Sequence, residues 1–183
     1  GGKEPGSKIF SGGIMSNTTK GRVWKFGDDI NTDLIFPNVA FIKPATEQPA
    51  YCFSANRPGW SGEVQPGDMI VGGRNFATGS GRAIGRIFGG LGVAGVLAET
   101  VNGLGMRNCI NFGIPVLPAP GVTGFFDEGD IAEVDWALGE IKNLTQGTSM
   151  SGNPLPEVLR DIADAGGVMP ILIKEGFIEP QEG

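Results

Sequence analysis

The chain has 183 residues, a net charge of -6 and an apolar fraction of 40%. That suffices for one core, but it offers no basic stripe for nucleic acid and no apolar run long enough to cross a membrane. With no histidine and only two cysteines, Cys52 and Cys109, it cannot build a Ser-His-Asp or Cys-His mechanism, a histidine-containing zinc site or an iron–sulfur cluster of its own.

Residues 1–20 carry no apolar signal core and are expected to be a flexible leader or a vector-derived remnant. That leaves residues 21–183 as a single domain, cytoplasmic by default. Residues 21–26, GRVWKF, alternate as a strand does, and GDDINTD at 27–33 is a polar turn. A short apolar segment, LIFP, follows. Residues 38–66 hold Pro44, Pro49, Pro58 and Pro66 and are predicted to be irregular. Such a loop is either functional or wraps a neighbouring element. Its aromatics Phe41, Tyr51, Phe53 and Trp60 suit either a docking face or a loop folded back on its own core. Residues 67–73, 92–99 and 114–117 read as buried strands, with helices over 83–91 and 101–109 between them. This alternation predicts parallel βαβ units. The later part changes character. Asp127, Glu128 and Asp130 form a solvated turn, with strands at 131–134 and 141–144 joined by a hairpin-like connection. Residues 154–165 have helical periodicity and stop at Gly166 and Gly167. The fold class is α/β: a small mixed or parallel core sheet with helices and β-rich extensions.

The stretch at 75–85, NFATGSGRAIG, lies between a predicted strand and a predicted helix. Glycines there let backbone N–H groups approach a ligand, and a helix N-terminus favours an anion. Ser80 supplies a hydroxyl two residues before the guanidinium of Arg82, whose planar fork suits a carboxylate. The stretch reads as a small-anion site with a hydroxyl beside it, or as a tight turn with an exposed arginine. No Walker lysine follows, which argues against phosphate. Trp24, Trp60 and Trp136 read as packing residues, and Asp127, Glu128 and Asp130 offer too few fixed ligands for a metal. Cys52 and Cys109 admit one disulfide but read as two buried thiols in a reducing compartment.

Taken in order, these motifs resemble the small subunit of 3-isopropylmalate dehydratase, the swivelling domain of the aconitase superfamily. The likeness runs from about Gly21 to Ile178. It is carried by GRVWKFGDDINTD, by GDMIVGGRNF with the glycine-serine turn, by GVAGVLAE and RNCINFGIPVL, and by Gly129-Asp130 and IKNLT. The resemblance implies a β/β/α swivelling fold. It also implies a hydro-lyase subunit, active only with a large subunit that holds a [4Fe–4S] cluster, that dehydrates or isomerises a hydroxy di- or tricarboxylate, as in leucine biosynthesis. This chain would carry no cofactor or metal of its own and would form a heterodimer, with no nucleic acid or membrane partner. Carried over by position, Ser80 is the base and Arg82 the carboxylate anchor. Thr78, Gly79 and Gly81 complete the substrate-binding turn, whose backbone N–H groups stabilise the serine alkoxide. Asn75 and Asp33 support it, although Asp33 fits a plain turn-stabilising role equally well. The chain departs from the pattern at Gly81, where the family has a second serine, at Ala83 in place of glutamate, and at Ile84 in place of histidine. Asn38-Val39-Ala40-Phe41 replaces an arginine-tyrosine-leucine segment that lies near the substrate's variable group. These departures leave open a different substituted malate as substrate, or a non-catalytic homologue that binds a small acid or a partner.

Overall fold

A computed structural model of the protein describes residues 18–180. The expected leader therefore lies largely outside the described residues. Its last three residues are corrected, because strand β1 (Thr18–Lys25) already includes them. Six further strands, β2 (Met69–Gly72), β3 (Gly95–Ala98), β4 (Val116–Pro118), β5 (Ile131–Asp135), β6 (Glu140–Asn143) and β7 (Thr148–Ser151), join it in the order β4-β3-β2-β1-β5-β6-β7. The first four run parallel, and β5 to β7 continue from β1 in antiparallel fashion. The predicted parallel core and β-rich extension are both present.

The alternation of each strand explains why the sheet is covered on both sides. Trp24, Ile70, Val96, Ala98 and Val116 face the helices α4 (Ile84–Gly90) and α5 (Gly103–Asn111), where they join Ile87, Phe88 and Cys109 in one core. Val23, Met69, Val71, Leu97 and Leu117 face the other way and meet Ala132, Val134 and Ile141 of the antiparallel strands and Trp136 of the turn after β5. The sheet therefore curls back over itself. Gly95 lets this happen, because a Cβ there would stand 2.5 Å from the Trp136 ring. Gly85 plays the same part between α4 and α5, where a Cβ would meet the Asn108 carbonyl and Cys109 Cα at 2.8 Å. All three tryptophans are buried, as expected from sequence.

Buried polar groups pin the strands together. Asp68, just before β2, accepts from Arg22, the Trp24 indole and the Gln65 amide at 2.7–2.9 Å. The turn at 127–130 is exposed at Asp127, Glu128 and Gly129, as expected, but it also braces the sheet. Asp130 is buried and accepts from Asn143 and Gln146 at 2.7 Å, and Glu128 pairs with Arg57.

Residues 38–66 are only partly irregular, with three single helical turns set among bends and turns. They hold α2 (Asn38–Phe41), a 3-10 turn at Gln48–Tyr51 and α3 (Trp60–Glu63), after α1 (Thr32–Ile35). Phe53 and Trp60 are buried in the core, so this segment wraps its own domain face; Phe41 alone of the four aromatics is exposed. The remaining elements are α6 (Val122–Phe125), α7 (Glu157–Asp164), which is the predicted helix, and α8 (Val168–Lys174), which was not predicted.

Candidate functional site

Because β1 and β2 are parallel, the loops that leave them emerge on the same edge of the sheet. Such edges are where ligands bind in open α/β sheets. The two loops are stitched together. Gly73 N–H donates to Gly27 O at 3.1 Å, Asp29 N–H to Arg74 O at 2.8 Å, and the Asn75 side-chain amide to Asp29 Oδ1 at 3.1 Å. The Arg74 amide and guanidinium hold the Asp28 carboxyl below its usual value. Asp29, Asn75 and Ala77 all have left-handed backbones, with φ of 55°, 58° and 60°. Asp and Asn tolerate that conformation, whereas for alanine it costs about 1–2 kcal/mol. Ala77 is held there by its N–H to Ile30 O at 2.7 Å and by the close approach of Gly105. Asn75 thus ties the two loops together through Asp29.

Ser80, Arg82, Asp33, Thr78 and Gly79 come together. Asn31 caps α1 through its side chain, which fixes Thr32 and Asp33 at the start of that helix. Thr32 N–H donates to Thr78 O at 2.8 Å. The buried Thr32 hydroxyl accepts from Ser80 N–H at 3.1 Å and lies 3.4 Å from Ser80 Oγ. Gly79 must be glycine: its φ is +115°, and a Cβ would stand 2.9 Å from Thr32 Oγ1. Gly81 is different, since a Cβ there would meet nothing within 4 Å. The expected cradle of three amides from Gly79, Ser80 and Gly81 is not formed, because the Ser80 amide is turned to Thr32.

Arg82 is not an exposed fork. Its Nε donates to the exposed Ser80 hydroxyl at 3.3 Å, Nη1 donates to Phe36 O, and Nη2 reaches Asn38 Oδ1 at 2.9 Å and Asp33 Oδ1 at 2.8 Å. The guanidinium lies 5.0 Å above the Phe41 ring, which stacks on Phe36. Its side chain is 15% exposed, against 63% for Asp33. Asp33 is therefore an exposed carboxylate already seated on the expected carboxylate anchor, which is more than a turn-stabilising contact. Thr32 and the Phe36 carbonyl were not expected at the site, and Asn38, expected near the substrate's variable group, instead contacts Arg82. Thr32 sits inside a polar run, and no periodicity separates it from its neighbours.

Among the described residues no group of three histidine, cysteine, aspartate or glutamate side chains could hold a metal. Cys52 and Cys109 are free and buried. Burial pushes the Cys109 thiol up to about 12 and the Cys52 thiol well above its usual value, so neither is a thiolate at neutral pH. This donor set does not fit an iron–sulfur cluster. No helix among the described residues is long and apolar enough to cross a membrane.

No family model matches the chain. It is 41% identical over 164 residues to the isopropylmalate/citramalate isomerase small subunit of Methanocaldococcus jannaschii, covering 88% of this chain and 97% of that protein. The chain belongs to the 3-isopropylmalate dehydratase small-subunit family. The 3-isopropylmalate dehydratase small subunit of Methanosarcina acetivorans is 39% identical over 153 residues, which covers 82% of this chain and 93% of that one. The crystal structure of a 3-isopropylmalate dehydratase from Methanocaldococcus jannaschii superposes with a TM-score of 0.80 at 30% identity, over 88% of this chain and 97% of that one. The fold expected of this family is the fold observed.

Proposed function

We propose that this chain is the small subunit of a hydro-lyase that isomerises an alkyl-substituted malate, working with a large subunit that carries a [4Fe–4S] cluster. The observation that carries this reading is the exposed Ser80 hydroxyl, 3.3 Å from Arg82 Nε, on a chain of this family. The cluster belongs to the partner, since the donors here do not suit it; when bound, it supplies a Lewis acid for the leaving hydroxyl. The work of this chain is proton transfer and orientation. Ser80 Oγ takes a proton from the carbon beside a carboxylate, the electron pair forms the double bond, and the hydroxyl leaves from the neighbouring carbon. Returning the proton with water added the other way round yields the isomer. Arg82 stabilises the negative charge on Ser80 and anchors a substrate carboxylate, which takes over the position of the exposed Asp33 carboxylate.

Val39 and Phe41 are half-exposed apolar side chains on the short helix whose Asn38 contacts Arg82. They suit an alkyl substituent better than a charged one. A relative named for both isopropylmalate and citramalate, which differ only in that alkyl group, agrees with this. The two free, buried thiols suit a reducing cytoplasm, where a step of leucine biosynthesis would take place.

The test is to purify the chain with its large subunit without oxygen and follow the unsaturated product by absorbance with 2-isopropylmalate and with citramalate. Turnover of either acid that requires both chains is expected. A stable complex that turns over neither would overturn the substrate class, and failure to form a complex would overturn the subunit reading.

A further inference from the structure

A serine hydroxyl is a poor base at neutral pH unless donors surround its oxygen. In a chain without histidine, those donors come from other side chains. Two reach Ser80 Oγ: Arg82 Nε at 3.3 Å and the Thr32 hydroxyl at 3.4 Å. Both distances are long, as catalytic hydrogen bonds often are before substrate binds. Thr32 Oγ1 accepts the Ser80 N–H at 3.1 Å and keeps its own proton to donate. Once Ser80 Oγ acts as a base and carries no proton, only the Thr32 hydroxyl can donate across their 3.4 Å contact. Among the described residues, both hydrogen bonds of Thr32 Oγ1 go to Ser80. The threonine itself is fixed. It is 1% exposed, its N–H donates to Thr78 O, and its carbonyl accepts from Phe36 N–H. The absent side chain at Gly79 makes the approach possible.

We propose that Thr32 is the positioning residue of the Ser80 base, gripping its amide and donating to its hydroxyl oxygen from the neighbouring loop. This role rests on Ser80 acting as the base. It makes the hydroxyl pair at the site a product of two loops, 48 positions apart in sequence, that only the parallel pairing of β1 and β2 brings together.

The test compares Thr32→Val, which keeps the shape and removes the hydroxyl, with Thr32→Ser, which restores it, both in the complex with the large subunit. Thr32→Val is expected to lower kcat about 10- to 100-fold while KM changes by less than about threefold. Thr32→Ser is expected to recover most of that loss. Hydrogen exchange at the Ser80 amide, followed in the same proteins, should quicken in Thr32→Val and stay slow in Thr32→Ser. If Thr32→Val keeps wild-type kcat while Ser80→Ala destroys activity, the positioning role is wrong and the base reading stands. If both Thr32 variants lose activity in step with Tm or complex assembly, Thr32 is only structural and the proposal also falls. If Ser80→Ala keeps full activity, the base reading falls and takes this role with it.

Discussion

The two halves of the sheet use the same strand chemistry for different ends. In the parallel half, β2 and β3 are buried on both faces, and the connection from β1 to β2 spans residues 26–68. In the antiparallel half, β5 to β6 and β6 to β7 are joined by four residues each, 136–139 and 144–147. Parallel pairing demands a crossover, so chain must leave and re-enter the sheet, and its loops collect on one edge. Hairpins turn back at once and leave no room for a site. Ser80, Arg82, Thr32 and Asp33 accordingly all lie on loops after β1 and β2. The polar groups of the other half, Asp130, Asn143 and Gln146, bond mainly to one another. The proposed chemistry and the bracing are thus separated along one continuous sheet.

That separation can be broken by removing the contact that closes the sheet. Trp136→Ala leaves a cavity against Gly95 and strips the Thr19 hydroxyl of its indole donor. Urea unfolding should show a loss of about 3–5 kcal/mol, with kcat of the remaining folded complex within about twofold of wild type. A matching fall in kcat would mean the halves are not separable. Gly79→Ala should do the reverse. It strains a positive φ and presses on Thr32, so stability should drop by about 1–2 kcal/mol while turnover falls tenfold or more.

Acid should weaken both halves together. Burial alone would raise the carboxyl of Asp68, but the hydrogen bonds from Arg22, the Gln65 amide and Trp24 outweigh it and hold it below its usual value. Asp130 is likewise lowered despite burial, by Asn143, the Asp127 amide and Gln146, and Glu99 by Thr123 and the Gly121 amide. Each lowered group stabilises the fold fully above its unfolded value, about 4, and that contribution is lost as pH falls through the lower folded value. Tm should hold steady from pH 7 to about pH 5 and then drop steeply; a Tm that rises below pH 4 would contradict these contacts. The smallest effect is expected from Gly81→Ser, which places a second hydroxyl in the turn. With open space at that position, stability should change by no more than about 0.5 kcal/mol, measured by urea unfolding.

Much of the fold was legible because it is written in apolar runs. Residues 69–72 and 95–98 are wholly buried, and their burial survives in sequence as MIVG and GVLA. Strand β7, TSMS, was missed because it is a largely exposed edge held by pairing with β6, so it carries no apolar signature. The one-turn helices between residues 32 and 63 are too short for a 3.6-residue period to appear. Phe53 and Trp60 were left between a docking face and a loop folded back on its own core, because sequence cannot tell an aromatic that turns inward from one that does not. At the site, Ser80 and Arg82 were legible as a local motif, two residues apart. Thr32 was not, and neither was the contact of Asn38 with Arg82, because both reach the motif through strand pairing. The occupied state of Arg82 was hidden for the same reason, since three of its acceptors lie on residues 33–38.

Whether the site edge of the parallel half supplies the base is decided by kcat of the Ser80→Ala complex beside wild type, with Tm and complex assembly measured on the same samples. A loss of about a thousandfold or more in kcat is expected, with Tm and assembly unchanged. A Ser80→Ala complex that turns over within a few-fold of wild type would place the base elsewhere.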